Sequence, residues 1–167
     1  MGDHQRKIDI RIDPATERDV PALLKLIRGL AEYERLADRV VATEASLHEA
    51  FFGERPVAEA VLARVGSEPV GFAVFFLTFS TFAGRTNLYL EDLYVEPQRR
   101  RRGVGRKLLA RVSRIAVERG CGQMNWSVLG WNEPALDFYR AFGAEPVQEW
   151  VGYRLTGEAF KRLANSK

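Results

Sequence analysis

Apolar residues fall at two spacings along this chain, and the switches between them mark its elements. Ile8, Ile10 and Ile12 alternate with polar residues, which predicts a short opening strand. Thr16 then has the character of a helix N-cap, with Asp19 in the first turn and Pro21 tolerated near the start. Val20, Leu23, Leu24, Ile27, Leu30 and Ala31 follow at helical spacing. A second, short helix is predicted from near Thr43, carrying Leu47, Ala50 and Phe51, with Gly53 and Pro56 ending it. Residues 58–65 and 69–79 read as strands joined by the turn Gly66-Ser67-Glu68-Pro69. After a further turn at Ala83-Gly84-Arg85, residues 86–96 form a strand apolar enough to be central.

Helical spacing returns from Gly103 to about Glu118, with Val104, Leu108, Leu109, Val112 and Ile115 on one face and Gly120 and Gly122 beyond. Gln123–Leu129 reads as a strand. Asn132 caps a helix through Phe142, with Pro134 in its first turn and Gly143 as its stop. A strand near 147–155 and a short helix from Thr156 complete the order. This is a mixed α/β (α+β) arrangement, one sheet covered by helices. With 167 residues and 46% apolar content, it reads as one globular domain, its core about 8–163.

Composition narrows the function classes. Net charge is only +3, yet four of the 25 basic residues are adjacent at Arg99–Arg102. A local imbalance points to one anionic site more than to a nucleic-acid-coating surface, and no stacking aromatics interleave with it. The lone Cys121 excludes an internal disulfide and fits a reducing, cytoplasmic setting. No run approaches the roughly 18 apolar residues of a membrane span. The opening residues carry no signal-peptide core, and Arg6 does not fit a myristoylation pattern. His4 and His48 have no partners at metal-ligand spacing, so no metal site is expected.

The candidate chemistry concentrates between Leu90 and Gly105. A strand carrying two acids, Glu91 and Asp92, runs into a block of arginines and then a glycine turn that opens a helix. Helix-start N–H groups carry partial positive charge, and Gly103 and Gly105 remove Cβ atoms where phosphates approach. The turn lacks the third glycine of a dinucleotide fingerprint and the Gly-Lys-Ser/Thr ending of a P-loop. A mononucleotide-like or coenzyme A pyrophosphate remains, beside the plainer reading of a solvated basic turn. Strict alternation places Glu91 and Asp92 on opposite faces, among Leu88, Leu90, Leu93 and Val95. A carboxylate taken from water needs a partner, or its pKa rises, and either outcome suits a group handling an amine. The plainer reading is a pair of structural ion pairs. Tyr139 is either a core tyrosine or a general acid whose phenol returns a proton to a thiolate. Cys121, flanked by glycines and far from any His in sequence, reads as a bystander.

These segments together resemble the GCN5-related N-acetyltransferases, acetyl-CoA-dependent enzymes whose Gln/Arg-x-x-Gly-x-Gly/Ala signature matches Arg100 to Gly105. The resemblance extends to the diamine and thialysine N-acetyltransferase group, through Arg11, Pro14-Ala15-Thr16, Leu30-Ala31-Glu32-Tyr33-Glu34, Leu88–Val95, Trp131–Pro134 and Phe138-Tyr139. It implies the fold of that superfamily, a mostly antiparallel sheet of about six to seven strands flanked by helices. It implies acetyl-CoA as cofactor, held by Leu93, Tyr94 and Val95 along its pantetheine arm. Arg100, Arg101, Arg102, Gly103, Val104, Gly105 and Arg106 lie at the pyrophosphate, and Asn132 and Tyr139 near the acetyl end. Glu91 is the implied base and Tyr139 the general acid. Tyr33, Glu34, Glu91 and Asp92 lie toward a small-molecule amine acceptor, with Phe82 and Trp150 where acceptor choice is made. A homodimer is implied by the family alone.

Three departures qualify the likeness. Polyamine-directed members carry Asp-Pro-Trp where this chain has Ser80-Thr81-Phe82, and Glu-Glu where it has Trp150-Val151. Long polyamines need several spaced carboxylates, so the 79–86 segment looks more like the thialysine-directed members, with Arg85 available to an acceptor's carboxylate. Arg101 replaces a glycine, which predicts backbone strain or a slightly different loop. The expected reaction is acetyl transfer from acetyl-CoA to a primary amine of a lysine-like amino acid or diamine. Two alternatives are a polyamine acetyltransferase and a non-catalytic acyl-CoA-binding regulatory module.

Overall fold

The computed structural model describes residues 9–166. Two compact units divide the chain, one ending at Ser127 and one beginning at Val128. The first holds a five-stranded sheet in sequential order: β1 (Ile10–Pro14), β2 (Glu59–Val65), β3 (Glu68–Ser80), β4 (Arg85–Val95) and β5 (Met124–Asn125). Neighbours are antiparallel except β4 and β5, which run parallel. A parallel neighbour requires a crossover, supplied by α3 (Val104–Glu118). Helices α1 (Val20–Tyr33) and α2 (Glu44–Phe52) fill the span between β1 and β2. Ile8, expected to begin the first strand, lies outside the described residues.

Thr16, expected to cap the first helix, instead starts a short 3-10 turn (Glu17–Asp19), and Asp19 is the N-cap residue of α1. Asp19 Oδ2 accepts from both the backbone and the hydroxyl of Thr16, each at 2.9 Å, ahead of α1. Thr43 Oγ1 accepts from the Ser46 N–H at 3.1 Å and starts α2. Strand alternation then divides the core. Leu62, Phe72, Val74 and Tyr94 pack with Leu23 and Leu26 of α1. The intervening Ala73 and Phe75 belong to the other face. There α3 lays down its predicted stripe: Val104, Leu108, Leu109, Val112 and Ile115 are all buried. Each such side chain contributes about 1.5–3 kcal/mol relative to exposure. Gly29 allows α1 to approach β4 closely, since a Cβ there would stand 2.8 Å from the Tyr94 hydroxyl oxygen.

The second unit contains α4 (Glu133–Arg140) and α5 (Gly157–Ala164). Two expected strands are reduced, so the sheet has five strands and not six or seven. The Gln123–Leu129 strand shrinks to Met124–Asn125, paired only with Leu88 and Tyr89. Residues 147–155 form no ladder. Their alternating apolar residues satisfy the local pattern, but a strand exists only with a hydrogen-bonding neighbour. No helix among the described residues is long and apolar enough to cross a membrane.

Candidate functional site

The short β5 creates the first feature of the site. It pairs with β4 at Leu88 and Tyr89, so on that side Leu90–Val95 has no ladder partner among the described residues. Such an edge offers N–H and C=O groups to an extended ligand. A bulge interrupts the ladder there: Phe75 lies opposite Leu90 and Val74 opposite Asp92, leaving Glu91 as the extra residue. The bulge inverts the alternation, which corrects the opposite-face expectation for the two acids. Leu90 and Leu93 now share the α3 face, and Asp92 falls with Tyr94 on the α1 face.

Three carboxyl groups meet at this point. Asp92 is pushed up to about 6, first by burial and then by the charges of Glu91 and Glu34. Glu34, the residue after α1, is also raised, by burial. Glu91 itself is exposed. Their mutual repulsion is a standing electrostatic demand for a cation.

The β4–α3 loop forms the second feature. Gly103 adopts φ 83° as the N-cap of α3, leaving the first-turn N–H groups of Val104, Gly105 and Arg106 directed out of the helix. Arg101 holds φ 59°, in the left-handed region, so of the two expected outcomes it is backbone strain that the replaced glycine brings. Arg101, Arg102 and Arg106 are exposed and form no ion pair among the described residues. Arg99 pairs with Glu68 at 2.7 Å, and Lys107 Nζ donates to the Ile10 carbonyl at 2.8 Å. Arg100 turns inward. Its Nε donates to the Val95 carbonyl at 2.9 Å, and its guanidinium carbon stands 4.3 Å from the Tyr33 ring centroid and 5.7 Å from that of Tyr94. Spacing alone treats Arg100 as one more cation of the cradle. The facing tyrosines are distant in sequence, so only the fold shows the stack.

The remaining residues are placed as follows. Phe82 caps the tip of the β3–β4 hairpin, 96% exposed. Arg85 lies over the backbone of Gly122, where any Cβ would collide with it. A cleft of about 410 Å³, absent from the sequence reading, opens between α1 and the end of β4, lined by Leu24, Lys25, Gly29, Glu32, Tyr94 and Glu96 among others. In the second unit, Asn132 Oδ1 accepts from the Ala135 N–H at 3.3 Å and caps α4. Tyr139, about two turns further on, packs edge-on to Phe138 with ring centroids 5.2 Å apart. Trp150 lies in the irregular segment between α4 and α5, 76% exposed.

An open β4 edge, a glycine-capped helix start with exposed arginines and a carboxyl group beside that edge make a site suited to an acyl-CoA-dependent acyltransferase. The unpaired edge fits an amide-bearing pantetheine arm, and the Gly103 turn fits a pyrophosphate. The profile of the Acetyltransferase (GNAT) family matches residues 24–144, and the chain belongs to that family. It is an N-acetyltransferase with acetyl-CoA as its acetyl donor. It is 40% identical over 166 residues to thialysine N-epsilon-acetyltransferase of Bos taurus, covering 93% of this chain and 97% of the relative. It is 30% identical to L-ornithine N5-acetyltransferase NATA1 of Arabidopsis thaliana, covering 92% and 87%. Among solved structures, an integron cassette protein of V. cholerae superposes with a TM-score of 0.80 at 25% identity, covering 94% and 98%.

Proposed function

We propose that the chain transfers the acetyl group of acetyl-CoA to the side-chain amine of a small basic amino acid of the thialysine or ornithine kind. The observation that carries this reading is the gathering of Glu34, Glu91 and Asp92 beside the open edge of β4. A cationic amine relieves their repulsion, and three closely grouped carboxyls suit one short acceptor better than a long polyamine. Loss of the acidic positions at Ser80–Phe82 and Trp150-Val151 supports the same choice, as do the acceptors named for the relatives. The family match runs across both compact units, which supports reading the chain as one acetyltransferase domain.

The amine's own proton is the main obstacle, because an alkylamine of pKa ~10.4 is mostly protonated at neutral pH. Glu91 takes that proton, directly or through water, and Asp92 and Glu34 hold the ammonium before it leaves. Bound acetyl-CoA supplies an activated acetyl thioester. The Leu93 N–H, on the unpaired edge, donates to the carbonyl oxygen as negative charge builds there. Tyr139 gives its hydroxyl proton to the departing sulfur. Leu93–Val95 holds the pantetheine arm by its backbone, Arg101, Arg102 and Arg106 hold the pyrophosphate, and Asn132 holds the cofactor arm near the acetyl end. Val147, Trp150, Val151 and Tyr153, all exposed, supply an apolar stretch suited to a homodimer interface.

A thiol-release assay with acetyl-CoA against thialysine, ornithine, lysine, diamines and spermidine tests the acceptor. The highest kcat/KM is expected for thialysine or ornithine, and spermidine as the best acceptor overturns the reading. Tyr139→Phe is expected to lower kcat about ten- to a thousandfold with acetyl-CoA affinity intact. An unchanged kcat removes Tyr139 from the role.

A further inference from the structure

We propose that Arg100 is a positioning residue that couples the cofactor loop to the acceptor end of α1. The proposal rests on the reading above, in which Tyr33 and Glu34 face the acceptor. Arg100 opens the glycine turn yet differs from the exposed Arg101, Arg102 and Arg106 that follow. Its Nε is engaged by the last carbonyl of β4, at Val95. Its guanidinium plane is engaged by Tyr33, the last residue of α1, and by Tyr94. One side chain therefore touches the strand end, the phosphate-binding loop and the helix end that presents Glu34.

That arrangement has a mechanical consequence. Residues 101–103 hold two special conformations, Arg101 at φ 59° and Gly103 at φ 83°, so seating a pyrophosphate fixes the loop and with it Arg100. A fixed Arg100 holds the Tyr33 ring in place. The amides just beyond are closed only by helix-end bonds: Glu34 to the Leu30 carbonyl, Arg35 to that of Glu32 and Leu36 to that of Ala31. Helix ends of this kind open locally, and their opening is set by whatever pins the last turn. Cofactor binding thereby orders Glu34 before the amine arrives, and linkage requires the amine to tighten the cofactor in return.

Amide hydrogen exchange with CoA alone tests this without reference to any acceptor. In the wild type, CoA is expected to slow exchange at residues 34–36 by roughly threefold to tenfold, the range a cation–aromatic contact supports. In Arg100→Gln that slowing is expected to vanish while CoA still binds. Arg100→Lys keeps the charge but not the planar stack, and gives a partial effect. Tyr33→Leu keeps every residue of the loop and is expected to abolish the slowing on its own, which covers failure of the Arg100 variants to fold. Equal slowing in wild type and Tyr33→Leu, or none in the wild type, overturns the coupling. Acetyl-pantetheine, which lacks the pyrophosphate, separates the rival role. If Arg100→Gln weakens CoA but not acetyl-pantetheine, and the slowing at 34–36 persists, Arg100 is a direct phosphate ligand and the proposal fails. Finally, Tyr33→Leu is expected to raise KM for thialysine at least threefold with KM for acetyl-CoA little changed. Lost slowing with an unchanged thialysine KM keeps the mechanical link but overturns the acceptor assignment of this helix end.

Discussion

Asp92 sits where burial and two neighbouring carboxylates leave its charge poorly compensated. Its folded pKa of about 6 stands above the ordinary 3.8, so the folded state holds the proton more tightly than the unfolded chain does. Between those values the unfolded chain releases its proton first, and stability falls as pH rises. Above about pH 6 the cost is constant, on the order of 2–3 kcal/mol. Asp92→Asn removes the charge and keeps the shape. It is therefore expected to be more stable than the wild type at pH 7.5 and no more stable at pH 4, measured by urea unfolding at both values. An equal gain at both pH values sinks the electrostatic account. The same variant is expected to weaken the amine, which marks the strain as functional. Sequence alone identified the two acids of β4. It could not identify which one is buried, because that depends on the bulge at Glu91 and on Glu34 arriving from α1.

The loop between β4 and α3 shows the same division at the level of an element. The arginine–glycine spacing and the start of α3 were legible, since each is set by local chemistry, whereas strain at Arg101 was one of two outcomes implied by the family likeness, which has a glycine there. A non-glycine residue in the left-handed region costs about 1–2 kcal/mol, and glycine gives back part of that through a more flexible unfolded chain. Arg101→Gly is thus expected to gain about 0.5 kcal/mol in stability while raising KM for acetyl-CoA twofold to fivefold. A calorimetric midpoint that falls refutes the strain. The inward turn of Arg100 was not legible, because Tyr33 and Tyr94 meet it only after α1 docks on the sheet. For the same reason β5 was read too long and residues 147–155 were read as a strand. Alternation is a local signal, whereas a ladder needs a neighbour that the pattern does not name.

Across the whole molecule, net charge of +3 provides little long-range field, so attraction of a polyanionic cofactor must come from the loop arginines. Arg101, Arg102 and Arg106 are exposed to solvent and its ions, whereas Arg100 is half-buried between two rings. Screening acts strongly on the first group, since the Debye length shrinks from about 10 Å at 0.1 M salt to about 3 Å at 1 M. Raising potassium chloride from 0.05 to 0.5 M is therefore expected to increase KM for acetyl-CoA roughly fivefold. Little change in kcat is expected, because the reacting groups act at short range. Removing Arg102 or Arg106 should flatten that salt dependence, each neutralised contact lowering its slope. Arg100→Gln should leave the slope as it is, since the wild-type side chain is already committed to Val95 and Tyr33. A salt profile flattened by Arg100→Gln and untouched by Arg102→Gln would reverse the assignment, making the stacked arginine the phosphate ligand and the exposed ones mere solvated charge.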